Sequence, residues 1–359
     1  MTRRERLIRC YRHEEMDRPA VYTRVGYPQN DPTYDRLKAF MNANTELKGG
    51  WSSSLLDSQP AVTTVVEPYN ADFSRRVEVM ETPAGPLRRT HLVSLRGQPG
   101  LHETYFINMP EDAERYLSLP MPAVGGDLTP FARAEAAIGD TGLVETSLGF
   151  NPGGYTAELC GSENFAMLSL TDRDLVHRLC ERRMTILLNR VKYLLKNGIG
   201  PYFSTAGQEY VVPPLHGPAD FADFNVRYDK PILDAIHEAG GRLHVHCHGP
   251  IRSVFQMFVD LGVDVLHPIE PPPQGNLEIA EAKAMARGRM CLEGNIQINR
   301  MYEATPDEIR EETAKLIRDA FDDRRGLIVS PSASPYIRGE GERCFEQYRA
   351  MVETVLNWK

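Results

Sequence analysis

From residue 143 to the C-terminus, short β-type runs alternate with helical ones, and few architectures accept that order. Residues 143–147 read as a strand, and 172–195 carry apolar residues at helical spacing up to a stop at Asn197-Gly198. Residues 201–205 are strand-like, 218–239 helical with Gly240-Gly241 as the stop, and 242–246 form the next strand. Helical 251–261 then precedes β-type 263–267, 277–286 precedes 289–292, 305–321 precedes 326–330, and 344–357 ends the series as a helix. Parallel strands need such crossovers, so the alternation predicts a parallel sheet. About six units, with an early strand in 18–23, approach the eight of an α/β (β/α)8 TIM barrel. An open doubly wound sheet would more often show a Gly-rich phosphate turn, and neither GxGxxG nor a P-loop occurs. We expect one barrel domain over 1–359. Residues 29–122, with Pro, Gly and hairpin-like pieces at 76–80 and 86–90, are expected to form an irregular cap or insertion.

Chemistry concentrates in Gly241-Arg-Leu-His-Val-His-Cys-His-Gly-Pro250. Alternate strand residues share a face, so His244, His246 and His248 point the same way at a strand end. Buried ring nitrogens need partners, and neutral imidazole is a common ligand for a divalent transition metal. The cluster therefore reads as half of a metal site. His-x-His gives two ligands, whereas a catalytic zinc site takes three from the protein and keeps one position open.

A barrel does its chemistry at the C-terminal strand ends. That rule nominates Glu145, Gln208, Glu209, His267, Glu270, Glu293, Asn295, Ser330, Ser332 and Ser334 beside the histidines. Glu209 or Glu270 would complete a nitrogen and oxygen ligand set with His246 and His248, and these four are the expected catalytic and metal residues. The plainer alternatives are a solvated loop acid at Glu209 and a turn cap at Glu270. Tyr202, Phe203, Gln208, Tyr210 and Asn295 are the expected substrate contacts, with ordinary barrel core as the alternative for the aromatics.

A formal net charge of −8 and a pI near 5.8 argue against nucleic acid or an anionic membrane as a partner, because both select basic surfaces. No run of about 18 apolar residues suggests a membrane span, and no apolar signal core follows the charged start, so a cytoplasmic location is expected. Six scattered cysteines without a CxxC fit free thiols in a reducing compartment. A small-molecule ligand is the natural expectation, with a homodimer left open.

Several motifs then carry a family resemblance. They are Arg4-Glu-Arg-Leu7 followed by Asp17-Arg-Pro-Ala-Val21, Gly217-Pro-Ala-Asp-Phe221 leading through Phe224 to Pro231, and residues 243–249. Leu261-Gly-Val-Asp-Val-Leu-His-Pro268, Leu292-Glu-Gly-Asn-Ile296 and Thr305-Pro-Asp-Glu-Ile309 follow in order. Together they resemble the uroporphyrinogen decarboxylase superfamily, in particular its methyltransferase-like branch, which implies a distorted (β/α)8 barrel. True decarboxylases of the superfamily hold an eight-carboxylate tetrapyrrole with an arginine-rich N-terminal segment. Here Tyr22-Thr-Arg-Val-Gly-Tyr27 offers only Arg24, too little positive charge for eight carboxylates.

The resemblance to the methyltransferases implies zinc and a methyl acceptor in the form of cobalamin on a separate corrinoid protein. Their His-x-Cys-Gly motif aligns on His246-Cys247-His248-Gly249, and the second family cysteine falls near Ala333. A nitrogen and oxygen site is a harder Lewis acid than a thiolate site, which favours a methoxylated donor such as an aromatic methyl ether. The alternatives are a metal-free lyase or decarboxylase for a small carboxylic acid, with Arg24, Arg75 or Arg76 as clamps, and a binding protein that has lost the site.

Overall fold

A computed structural model describes residues 1–96 and 99–358. Its centre is an eight-stranded parallel sheet built from β1 (Ala20–Val21), β2 (Leu47–Ser52), β3 (Gly142–Phe150), β4 (Tyr202–Ala206), β5 (Arg242–His246), β6 (Val265–His267), β7 (Cys291–Ile296) and β8 (Leu327–Pro331). The strands pair in the order β1-β8-β7-β6-β5-β4-β3-β2. Glu46 spans the remaining seam: its N–H donates to Val21 O at 3.1 Å, and its carboxylate accepts from Val21 N–H at 2.7 Å. The expected (β/α)8 barrel is the fold observed.

Glu46 is fully buried, and burying a lone carboxylate is costly. Arg6 at 2.6 Å and Arg18 at 2.8 Å neutralise it. Helix Arg3–Tyr11, capped by Thr2, is thereby tied to the seam that closes the sheet. Close strand approach also demands a small residue at the start of β3, where a Cβ on Gly142 would stand 1.7 Å from Leu47 O.

The strand between helices that sequence periodicity marks at 242–246 has those bounds, and the helix expected at 172–195 runs Arg173–Lys196 with Asp172 as its N-cap. Two expectations change. The helix expected across 218–239 is widened over Ala222–Val226, which turns Asn225 inward to donate to Gln208 O at 3.1 Å. The range 29–122 is not all cap, because it contains barrel strand β2 and the helix Asp35–Asn44. The inserted part is an antiparallel sheet of Val62–Pro68, Phe73–Met80, Leu87–Ser94 and Leu101–Thr104, and it contains the pairing implied by the hairpin-like pieces, with Val77 opposite Thr90. No helix among the described residues is long and apolar enough to cross a membrane.

Removing one partner of a buried ion cluster leaves uncompensated charge. Glu46→Gln is therefore expected to lower unfolding free energy by about 3 kcal/mol or more in urea titration; an unchanged midpoint would show that the seam does not depend on this carboxylate.

Candidate functional site

Alternation along the strands brings Lys48 of β2, Glu145 and Ser147 of β3, Ser204 of β4, and His244 and His246 of β5 toward one end of the barrel lumen. Glu293 of β7 and Arg24, just after β1, join them. Two adjoining cavities of about 310 and 280 Å³ are both lined by Arg24, Glu145, Ser147, Ser204 and His244.

Lys48 is the electrostatic centre. Its Nζ donates to Glu293 and lies 3.4 Å from Glu145, and all three side chains are buried or nearly so. Tyr11, at the end of the first helix, donates its hydroxyl to Glu145. His244 Nδ1 lies 3.1 Å from the same carboxylate, while its buried Nε2 has no hydrogen-bond partner and is 3.8 Å from Glu293. Burial alone would raise the Glu145 pKa, but His244 and Lys48 outweigh it and hold the carboxyl far below the ordinary range. Burial likewise works against the Lys48 cation, and Glu145 and Glu293 overcome it, raising the lysine.

A second set meets at His246. His267 Nε2 lies 3.2 Å from Pro331 O, a pure acceptor, so in the neutral ring that nitrogen carries the proton and Nδ1 holds a lone pair. His246 Nδ1 is 2.9 Å from this Nδ1 and 3.0 Å from Arg24 Nη1, which can only donate. One nitrogen cannot both accept from Arg24 and donate to His267. Burial, then Arg24, His248 and His244, draw the His246 pKa down to about 2, so protonation does not resolve the conflict. A ligand that drew Arg24 away would.

The four expected metal residues are not brought to one point. His248 stands near His246, with ring centroids 4.6 Å apart, but its Nδ1 pairs with Glu270 at 3.2 Å. Glu270 also accepts from Gly249 N–H at 2.9 Å, and Glu209 accepts from Gly207 N–H at 3.0 Å. Burial raises the Glu209 carboxyl. Among the described residues, no three His, Cys, Asp or Glu side chains form a metal-binding group. As arranged, the donor set does not fit zinc.

The expected substrate contacts mostly lie elsewhere. Tyr202 and Phe203 are core, Tyr202 packing edge-on to Tyr11 at 5.2 Å. Gln208 is buried and donates to Asp229 at 3.0 Å, Tyr210 packs against Phe150 at 5.8 Å, and Asn295 sits on β7 opposite Ser330. None of the five lines the two cavities. Lys48, Tyr11 and the role of His244 are what sequence reasoning missed.

The signs of the shifts set a pH dependence. A depressed Glu145 stabilises the fold above the ordinary carboxylate range and loses that contribution on acidification; the raised Lys48 loses its contribution only in alkali. Lys48→Met should therefore cost about 3–5 kcal/mol at pH 7, and the gap from wild type should narrow as urea titrations are repeated down to pH 4. A gap independent of pH would contradict this charge assignment.

The family model for uroporphyrinogen decarboxylase (URO-D) matches residues 153–357, more than half the chain. A solved methyltransferase from Methanosarcina mazei is 14% identical, covering 99% of this chain and 98% of its own, with a TM-score of 0.61. A B12-independent methionine synthase from a Shewanella species is 12% identical over 67% of this chain and 70% of its own, with a TM-score of 0.48. No curated protein matches the sequence.

Proposed function

The chain belongs to the uroporphyrinogen decarboxylase family, and we propose that within it the protein is a methyltransferase-type enzyme. In this proposal it takes a methyl group from a small methoxylated compound and passes it to the cobalt of a separate corrinoid protein. The observation that carries the reading is the pair of cations, Lys48 and Arg24, lining a cavity of about 310 Å³ at the barrel end. When a methyl group leaves an ether oxygen, the bonding electrons stay on oxygen, and fixed cations in a dry site stabilise the charge that develops there. Lys48 is kept protonated by Glu145 and Glu293, so it can fill that role without losing its proton.

His244, as its imidazolium, is the residue we assign to proton delivery to the departing oxygen, the ring returning to the neutral form with its remaining proton on Nδ1 toward Glu145. Its Nδ1 is oriented by Glu145, and its Nε2 is unpartnered. Ser147 and Ser204, lining both cavities, supply hydroxyls that can orient the donor. The methyltransferase of the same fold supports this class of reaction by likeness alone. Zinc enters no step of the proposal, because His246, His248, Glu209 and Glu270 do not converge.

A second reading is favoured by one observation, the exchangeable contact of Arg24 with His246. Arg24 beside Lys48 would clamp a small carboxylic acid for a metal-free lyase or decarboxylase. Arg75 and Arg76 would not share in this, since they lie on the inserted sheet, with Arg75 paired to Glu103 at 2.6 Å.

The deciding assay mixes the protein with methoxylated aromatic donors and reduced cobalamin, following cobalamin methylation by absorbance and the demethylated phenol by chromatography. Methyl transfer is expected, lowered about 100-fold or more in Lys48→Met. Release of carbon dioxide from small aromatic acids without methyl transfer would select the second reading, and neither reaction would refute both. Elemental analysis of the same preparation is expected to find no stoichiometric zinc; one zinc per chain, lost in His246→Ala, would return a metal to the lumen.

A further inference from the structure

Behind β3, on the side away from the lumen, a separate cavity of about 240 Å³ lies between the helix Arg173–Lys196, the segment after β2 and the chain around residues 116–122. It shares no lining residue with the two lumen cavities. Three guanidinium groups line it, and only one carboxylate does. Arg190, 1% exposed, pairs with Asp57 and donates to Leu148 O at 2.9 Å. That pair is balanced.

Arg183 and Arg182 are not. Arg183 is 8% exposed and has no carboxylate partner among the described residues. Its Nε and Nη2 donate to Phe150 O at 3.3 and 3.1 Å, and its plane lies over Tyr155 at 4.2 Å. A guanidinium carries five N–H donors, and Nη1 meets no protein acceptor. Arg182 donates to Pro120 O at 2.8 Å and leaves its buried Nε without a partner. Counting Asp57 against the three arginines leaves two uncompensated positive charges on one small, partly enclosed space.

Burying a cation without a counter-charge is unfavourable unless a partner restores the balance. Backbone carbonyls supply partial charge only, and burial lowers Arg183, with Arg190 adding to it by repulsion against opposing contributions from Tyr155, Tyr116 and Asp57. The remaining walls are mixed, apolar or aromatic at Tyr116, Tyr155 and Ile186 and polar at Ser54, Ser58 and Gln59. A pocket of this kind suits a ligand with one anionic end and an apolar body. Arginine is the side chain best shaped to grip a carboxylate or phosphate through two parallel N–H groups.

We propose that this cavity is a second binding site, for a small organic anion that places its carboxylate or phosphate on Arg183 and Arg182 and its apolar skeleton among Tyr116, Tyr155 and Ile186. The site is independent of the reaction assigned to the lumen, so it stands or falls separately.

Isothermal titration of the full chain with benzoate, phenyl phosphate and the neutral analogue benzamide tests it. At least one anion is expected to bind, with benzamide at least tenfold weaker. Arg183→Met and Arg182→Met are each expected to weaken that anion at least tenfold, while Arg252→Met, an exposed residue that lines neither this cavity nor the lumen, leaves it unchanged. Should Arg183→Met fail to fold, Arg182→Met decides, since Arg182 is only partly buried. Absence of binding by both anions, equal binding of benzamide, or anion affinity unchanged in Arg182→Met would overturn the proposal.

Discussion

Lys48 is the charge on which the lumen depends. Glu145 and Glu293 are held in the barrel interior with little access to water, and without the ammonium between them their repulsion and desolvation would favour protonation or disorder. A buried ion pair seldom stabilises a fold more than well-packed apolar residues of similar volume would. Its retention at the end of a barrel, where cavities open, therefore points to chemistry as the reason for the arrangement.

Two residues upstream, Glu46 settles the geometry that makes such a lumen possible. Its carboxylate meets Val21 N–H, Arg6 and Arg18, joining the short first strand to the second. The same stretch of chain thus closes the sheet at Glu46 and supplies the interior with its cation at Lys48. The next two residues are Gly49 and Gly50, and both line the larger lumen cavity without a side chain to fill it. Closure, charge and space are all set within five residues.

Those five residues are also where sequence reading failed. The later β/α units announce themselves because each strand is buried on both faces and each helix has one apolar face, so periodicity switches visibly. The stretch Leu47-Lys-Gly-Gly-Trp has no such pattern; it becomes a strand through its pairing with β3, a contact between residues nearly a hundred positions apart. With β2 unseen, Lys48 had no face to be placed on. The histidine row was legible because alternation alone puts His244 and His246 on one side, and both do line the smaller lumen cavity. Glu209 and Glu270 are placed by a further constraint. Strand-end position marks a carboxylate as available, but backbone N–H groups of Gly207 and Gly249 lie nearer and claim it.

The contact of Arg24 with His246 gives the site its direction. A guanidinium donates at five positions, and here one points at a nitrogen that is also within 2.9 Å of a second imidazole. Neither histidine can relieve this by taking up a proton, since burial disfavours the charged form of both. Lys48, by contrast, is held in place by its two carboxylates. Of the two cations lining the cavity, Arg24 is therefore the one with something to gain by moving to an incoming oxygen. In the proposed reaction that asymmetry would suit a donor whose oxygen becomes more negative as its bond to carbon breaks: the ligand's demand for Arg24 would grow along the reaction, while the hold of His246 on it would not.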